Sequence, residues 1–148
     1  MLAKLLKLVG IGLFVLCCPA RAADAPGLVL QGESQMKTGQ IDAAIETLRQ
    51  AVATDPGSSL AHTRLGGALL LKQENAEAIE TFRKAIMLDG DNADAFVGMA
   101  IAYLHSGDYA LARASLEEAK RIDPAKAPKV DELIAYIDRR ESGEGGTH

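Results

Sequence analysis

The chain has 148 residues and a formal net charge of −4, and 48% of its residues are hydrophobic. This length suits a single domain of modest size. The acidic balance argues against a nucleic-acid ligand, whose phosphates favour clustered Lys and Arg, and the sequence shows no basic patch for anionic lipid.

The first segment of the chain has the three parts of a secretory signal peptide. Lys4 and Lys7 supply positive charge, residues 5–16 are almost entirely apolar, and small residues follow. The apolar run is shorter than the roughly 20 residues that a membrane-spanning helix needs. We therefore predict that residues 1–22 are a signal peptide cleaved before Ala23, with an uncleaved N-terminal anchor as the alternative. We expect no membrane span after this segment.

The two cysteines of the chain, Cys17 and Cys18, both fall within this segment. Cleavage would leave a mature chain without cysteine and therefore without a disulfide. Three basic residues would leave with the segment, so the mature net charge becomes 13 − 20 = −7. A lipid anchor on Cys17 or Cys18 is a weaker alternative, because a lipidated cysteine needs a small residue before it and Leu16 precedes Cys17.

Residues of the same type recur 34 positions apart through the rest of the chain. The clearest columns are Ala44, Ala78 and Ala112; Leu48, Phe82 and Leu116; Ala51, Ala85 and Ala119; and Asp55, Asp89 and Asp123. A period of about 34 residues is typical of helix–turn–helix arrays. We predict two-helix repeats at 25–58, 59–92 and 93–126, in which each unit covers an apolar face of the next.

Turn and capping residues mark the ends of the predicted helices. Gly39 and Gly107 stand where the first helix of a pair should end, with Gln73 at the corresponding place in the second repeat. Glycine suits the left-handed backbone of a helix stop. Pro56 and Pro124 prevent the second helices from continuing. The candidate N-caps are Ser58, Ser59, Asn75, Asn92 and Asp108.

The pattern changes after the third repeat. A helix is predicted over 127–140, and its apolar face carries Val130, Leu133, Ile134 and Ile137. We expect this helix to cap the last repeat and to turn its polar face to water. Residues 141–148 lack apolar periodicity, so we expect a disordered tail.

These columns resemble the tetratricopeptide repeat, and the resemblance covers 25–126. The third repeat carries the best match, with Phe96, Met99, Ala100, Tyr103, Ala112, Leu116, Ala119 and Pro124. The resemblance implies an all-α, right-handed superhelical array of helix pairs. It also implies a concave groove, lined by the first helices, that binds a peptide or a partner helix, and it implies no chemistry.

The resemblance further suggests which residues line that groove, since the family uses fixed positions of its first helices. The candidates are Val29, Glu33, Met36, Lys37, Thr63, Leu70, Leu71, Val97, Ile101, Leu104 and His105. They lack the Lys, Asn and Arg set with which the best-known charged form of the groove clamps a C-terminal carboxylate, so we do not expect a chaperone-tail ligand. We expect an apolar strand or an amphipathic helix instead. The alternative is that Leu70, Leu71 and Leu104 are packed by neighbouring repeats or by a second copy.

No catalytic, nucleotide-binding or metal-binding pattern is visible, and we expect no cofactor. His62 replaces an aromatic residue at a helix-packing position, which favours a structural role, whereas His105 lies where it could contact a partner. Residues 89–94 superficially resemble a calcium loop, but Ala93 and Ala100 stand where that loop needs ligands.

Together these features predict an exported adaptor or scaffold that binds a protein or peptide partner in the cell envelope. We expect the periplasm of a Gram-negative bacterium, although a signal peptide by itself specifies only export. A self-assembling structural module is the alternative function, and an enzyme is the least favoured interpretation because no polar pocket is apparent.

Overall fold

The computed structural model describes residues 24–143, which form seven α-helices and no β-strand. The helices are α1 (Ala25–Lys37), α2 (Ile41–Thr54), α3 (Ser59–Leu71), α4 (Asn75–Leu88), α5 (Ala93–Ser106), α6 (Tyr109–Ile122) and α7 (Ala127–Glu141), with a short 3-10 turn at Pro124–Lys126. The predicted signal segment, both cysteines and most of the predicted tail lie outside the described residues. The exception is that Glu141 belongs to α7 and residues 142–143 form a turn.

The helices pack as a repeat array. α1 packs on α2, α3 on α4, and α5 on α6, so each 34-residue unit contributes one pair. α3 also contacts both α1 and α5, which places the first helices side by side in one layer. The second helices α2, α4 and α6 each contact the helix that follows them. This arrangement confirms the predicted all-α repeat array.

The link between the two helices of each pair has the same backbone geometry in all three repeats. Gly39, Gln73 and Gly107 have φ values of 77°, 64° and 79°, which is the left-handed region. The residue after each of them donates a backbone hydrogen bond of 2.8 to 2.9 Å to a carbonyl five residues earlier. The prediction that a helix stops at these positions is confirmed, including at Gln73, where a side chain occupies a conformation that favours glycine.

The predicted caps divide into two groups. Ser58 Oγ and Asn92 Oδ1 accept bonds of 3.1 and 2.9 Å from first-turn amides of α3 and α5, which confirms them as N-caps. The prediction was wrong for Asn75, which is the first residue of α4, and for Asp108, whose side chain accepts no capping bond. The cap positions before α4 and α6 have ψ near 64° to 67°, short of the more extended ψ of 82° and 102° at Asn92 and Ser58.

Ser59 was also wrong as a cap, because it lies within α3. Its hydroxyl instead donates a 2.9 Å bond to the Ala85 carbonyl at the end of α4. This bond joins the start of the second repeat's first helix to the last turn of its second helix. The residue therefore stabilises the packing of α3 on α4 and does not cap a helix.

The Phe82 ring packs between the second repeat and the third. The ring is 2% exposed and lies against two glycines, Gly66 of α3 and Gly98 of α5. A Cβ atom built at Gly66 would stand 2.8 Å from the ring, and one built at Gly98 would stand 2.3 Å from it. Real Cβ atoms do not come this close, so these two glycines give the ring its space.

α7 covers the open side of the third repeat. Val130 and Ile137 are fully buried in one apolar cluster with the third repeat. Arg113 of α6 forms ion pairs with Asp138 and, at 3.1 Å, with Glu141. The helix thus closes the apolar face that the last repeat would otherwise leave uncovered.

Candidate partner-binding groove

The first helices α1, α3 and α5 enclose an open cavity of about 730 Å³. α3 lies between the other two and forms its floor, and α1 and α5 form its walls. Eight of the predicted groove residues line it, namely Glu33, Met36, Lys37, Thr63, Leu70, Leu71, Val97 and Ile101. The cavity is the concave feature that the sequence predicts, although its role in binding stays a prediction.

Three other predicted groove residues lie elsewhere. Val29 is buried and lines a smaller cavity of about 260 Å³ at the start of α1. Leu104 is partly buried and packs against the apolar cluster of the third repeat. His105 is exposed at the end of α5, where its Nδ1 lies 3.3 Å from Asn75 Oδ1. The structure therefore does not bring these three into the main cavity.

The three leucines chosen from the sequence do not behave alike. Leu70 is partly buried against the apolar cluster of the first two repeats, so the packing alternative holds for it as well as for Leu104. Leu71, by contrast, is 59% exposed and lines the groove. A change at Leu71 therefore tests the groove without disturbing the core.

Three of the four charged side chains that line the groove, Glu33, Arg64 and Asp94, have partners within the chain. Arg64 on the floor donates to Glu33 on the α1 wall, and both side chains are partly buried. On the α5 side, Lys126 Nζ lies 2.6 Å from Asp94 Oδ1. This hydrogen bond raises the pKa of Lys126 above its ordinary value. A ligand that needs one of these charges must first displace its internal partner.

A second cavity of about 670 Å³ lies beside the turns between repeats and shares Thr63, Arg64 and Asp94 with the groove. Its polar groups largely bond to each other. Asn92 Nδ2 donates to Ser59 Oγ at 2.7 Å and to Thr63 Oγ1 at 2.8 Å. We therefore regard the apolar groove as the stronger candidate for a partner.

Two of the lining residues that escaped the sequence prediction are related by the repeat. Arg64 and Gly98 both face the groove, and they stand 34 residues apart. The repeat register itself therefore carried the signal, since a position that lines the groove in one repeat should line it in the next.

His62 has the structural role that its position predicts. The residue is buried in α3, and its Nε2 lies 3.1 Å from the Pro56 carbonyl oxygen, to which it donates. The imidazole thus ties α3 to the turn before it. Within residues 24–143, no group of three or more potential metal-ligating side chains comes together. No helix in the same range is long and apolar enough to cross a membrane.

The fold and the groove define a class of protein, a helical-repeat scaffold for protein–protein interaction. Two family models, each described as tetratricopeptide repeat, match residues 29–93 and 69–137. Together these matches span the three helix pairs and most of α7. The chain belongs to the tetratricopeptide repeat family.

Known proteins with similar sequences or structures agree with this assignment. The chain is 25% identical over 103 residues to the Protein STIP1 homolog of Dictyostelium discoideum, and the match covers 70% of this chain but only 18% of that protein. The first TPR domain of Spaghetti (RPAP3), bound to the HSP90 peptide SRMEEVD, superposes with a TM-score of 0.76 at 18% identity, covering 80% of this chain and 94% of that one. The TPR2B domain of yeast Sti1, in its pHsp70 complex, gives a TM-score of 0.76 at 21% identity, covering 78% and 97%. At these identities the two structures establish the fold.

Proposed function

We propose that this protein is an adaptor that binds an apolar segment of a partner protein, either an extended peptide or a helix, in the groove of α1, α3 and α5. The observation that carries the proposal is the apolar lining of a concave, open cavity. Leu71 is 59% exposed there, and Val97 and Ile101 lie on the facing wall. Exposed apolar groups gathered in a cleft favour a partner that removes them from water.

The adaptor hypothesis can be tested with two matched charge substitutions. Leu71→Glu places a carboxylate in the groove, and Met87→Glu places one on α4, where Met87 is 79% exposed and lines no part of the groove. After crosslinking in the native host, tagged wild-type protein and Met87→Glu should retain the same envelope protein, and Leu71→Glu should lose it. Equal circular dichroism spectra would show that both variants are folded. Loss with Met87→Glu alone would contradict the proposal.

An acidic C-terminal tail is not the ligand that we propose, although the relatives were solved with HSP90 and HSP70 peptides. In this chain Arg64 is paired with Glu33, so an incoming carboxylate would have to displace one that is already bound. We expect no saturable binding of the peptide SRMEEVD in a fluorescence anisotropy titration, and saturable binding would overturn this exclusion.

We further propose that the adaptor works outside the cytoplasm, in the periplasm. The support is the sequence of residues 1–22, whose charged, apolar and small-residue parts follow the order of a signal peptide. The test is fractionation of the native host followed by N-terminal sequencing. Recovery from the periplasm with Ala23 as the first residue would support export and cleavage. Retention of Met1, or a lipid on Cys17 or Cys18, would instead show that the protein stays anchored to the membrane and is not released by cleavage before Ala23.

Self-assembly is the second candidate function, because one apolar patch lies away from the groove. Met87 of α4 and Leu111 of α6 are exposed there, beside the partly buried Phe96 and Met99. If this patch joins copies of the chain, the mass in solution should rise with protein concentration and Met87→Glu should abolish the rise. A constant monomer mass would remove this candidate.

A further inference from the structure

Three ion pairs join the first repeat to the second, at a contact that we call the first junction. They are Glu33 with Arg64, Arg49 Nη2 with Glu77 Oε1 at 2.8 Å, and Asp42 Oδ1 with Lys72 Nζ at 2.9 Å. All six side chains are partly or largely exposed, so dissolved ions reach each pair. Because these ions screen the attraction between exposed charges, the strength of the first junction depends on the salt concentration.

The second junction, between the second and third repeats, has none of these pairs. The equivalent positions 34 residues further along are Gly67 with Gly98, Arg83 with Leu111, and Ala76 with Ser106. Of the equivalent charges only Arg83 remains, and its Nη2 donates to the neutral Tyr103 hydroxyl at 3.3 Å. Within residues 24–143, no ion pair joins α3 or α4 to α5 or α6. The packing therefore repeats from one junction to the next, but the charges do not.

Neutral groups and an aromatic ring hold the second junction instead. Asn92, which caps α5, donates from its Nδ2 to the Ser59 and Thr63 hydroxyls of α3 at 2.7 and 2.8 Å. The Phe82 ring of α4 packs against Gly98 of α5. Screening acts on pairs of charges, so dissolved salt leaves these contacts unchanged.

The first repeat lies at the end of the described array and packs on the second repeat through α3. A terminal repeat detaches by breaking one junction, whereas an inner repeat must break two. The buried core that the first two repeats share keeps the first repeat docked for most of the time. Its detachment is then a local opening of the native structure, and weaker ion pairs make that opening more frequent as the salt concentration rises.

We propose that the first repeat, α1 with α2, opens from the rest of the array as a unit and that the salt concentration controls how often it opens. The second and third repeats stay packed, because their junction lacks ion pairs and holds the Phe82 ring. α1 forms one wall of the groove, so each opening widens the groove on the α1 side while the α5 wall stays in place. This opening goes beyond the proposed adaptor function, since it needs no bound partner.

Hydrogen–deuterium exchange, followed by mass spectrometry of peptic fragments, measures this opening in the protein expressed from its full-length gene. Exchange is compared at about 0.05 M and about 0.5 M sodium chloride, which shortens the Debye length from about 14 Å to about 4 Å. We expect the amides of α1 and α2 to exchange about fivefold faster at high salt, because amide exchange reports the opening equilibrium. The amides of α4 and α5 are the internal reference and should change by less than about twofold. α7 is not a suitable reference, because Lys120 of α6 pairs with Asp131 of α7. Equal exchange of α1 and α2 at both salt concentrations, or an equal rise in α4 and α5, would overturn the inference.

Charge reversal at one ion pair tests the cause. Arg49→Glu places a carboxylate beside Glu77, and the double variant Arg49→Glu with Glu77→Arg restores a pair of opposite charges. Both side chains are about half exposed, so these changes leave the core intact. At low salt the α1 and α2 amides should exchange about tenfold faster in Arg49→Glu and return to the wild-type rate in the double variant.

Lys84→Glu is the matched control. It makes the same charge change at an exposed position of α4 that belongs to none of the three pairs, and it should leave the exchange of α1 and α2 unchanged. If the double variant exchanges as fast as Arg49→Glu, or if Lys84→Glu does so, the ion pairs do not control the opening and the inference is overturned.

Discussion

The same substitution at two adjacent positions of α3 should change stability in opposite directions. Gly66→Ala inserts a methyl carbon 2.8 to 2.9 Å from three ring atoms of Phe82. That ring is 2% exposed and is flanked by Gly98 as well, so it has little room to move away. Gly67→Ala inserts the same methyl group into the open groove. Because both positions lie inside one helix, their difference isolates the cost of packing.

The expected magnitudes follow from two opposing terms. Replacing glycine by alanine inside a helix stabilises a protein by about 0.5 to 1 kcal/mol. Forcing an extra methyl group into a packed core costs about 1 to 3 kcal/mol. Gly67→Ala should therefore raise the free energy of unfolding by about 0.5 to 1 kcal/mol. Gly66→Ala should lower it by about 1 kcal/mol.

Urea unfolding of both variants, followed by far-ultraviolet circular dichroism, measures this difference directly. A third substitution tests its cause. Phe82→Leu shortens the side chain that the new methyl group would strike, as in the third repeat, where Ala100 and Leu116 occupy the corresponding positions. Gly66→Ala should then cost less in the Phe82→Leu background by about 1 kcal/mol. The reasoning is refuted if Gly66→Ala stabilises as much as Gly67→Ala, or if its cost is unchanged beside Leu at position 82.

Three further predictions concern the ends of the array and its surface. Ile137→Ala should lower the unfolding free energy by about 2 to 5 kcal/mol in urea unfolding, because this side chain of α7 is fully buried against the third repeat; an unchanged midpoint would contradict that packing. Asn92→Ala should cost about 1 to 2 kcal/mol, seen as a lower Tm, because it removes the α5 cap and two bonds to α3; an unaltered Tm would show that these bonds are dispensable. The hydrogen bond from Arg121 lowers the pKa of Glu118, so the pair stabilises the fold above the unfolded-state pKa and that contribution disappears as the pH falls through the folded-state pKa. In an NMR titration Arg121→Ala should raise the Glu118 pKa, and a value that does not move would exclude this pair as the cause.

The helix pairs could be predicted from the sequence because each column of the repeat makes the same contact in every unit. Ala44, Ala78 and Ala112 are all fully buried. The same packing requirement therefore selects a small residue every 34 positions, and the sequence shows it as a period. The left-handed stops were predictable for the same reason, even at Gln73, where the register outweighed the residue type. Periodicity therefore gave the architecture more reliably than any single residue did.

The groove was less predictable, because its composition depends on small differences in direction and neighbours. Leu70 and Leu71 are chemically identical neighbours, but successive residues in a helix point about 100° apart. Both line the groove, but Leu70 is partly buried against the core, whereas Leu71 is 59% exposed. Whether a polar residue caps a helix also depends on its ψ angle, and the sequence at Asp108 does not reveal this angle. Similarly, the pairing of Glu33 with Arg64 joins residues of different repeats and needs the packed structure to be seen.

Site-specific photo-crosslinking tests the central claim, that the groove is the surface that binds a partner, most directly. A photoreactive amino acid is placed at position 71 in the groove or, in a second variant, at position 87 on α4. Each variant is illuminated in the native host. We predict that the probe replacing Leu71 forms a discrete adduct with another protein and that the probe replacing Met87 does not. Adducts from position 87 alone, or adducts at both positions only with a second copy of this chain, would contradict the account.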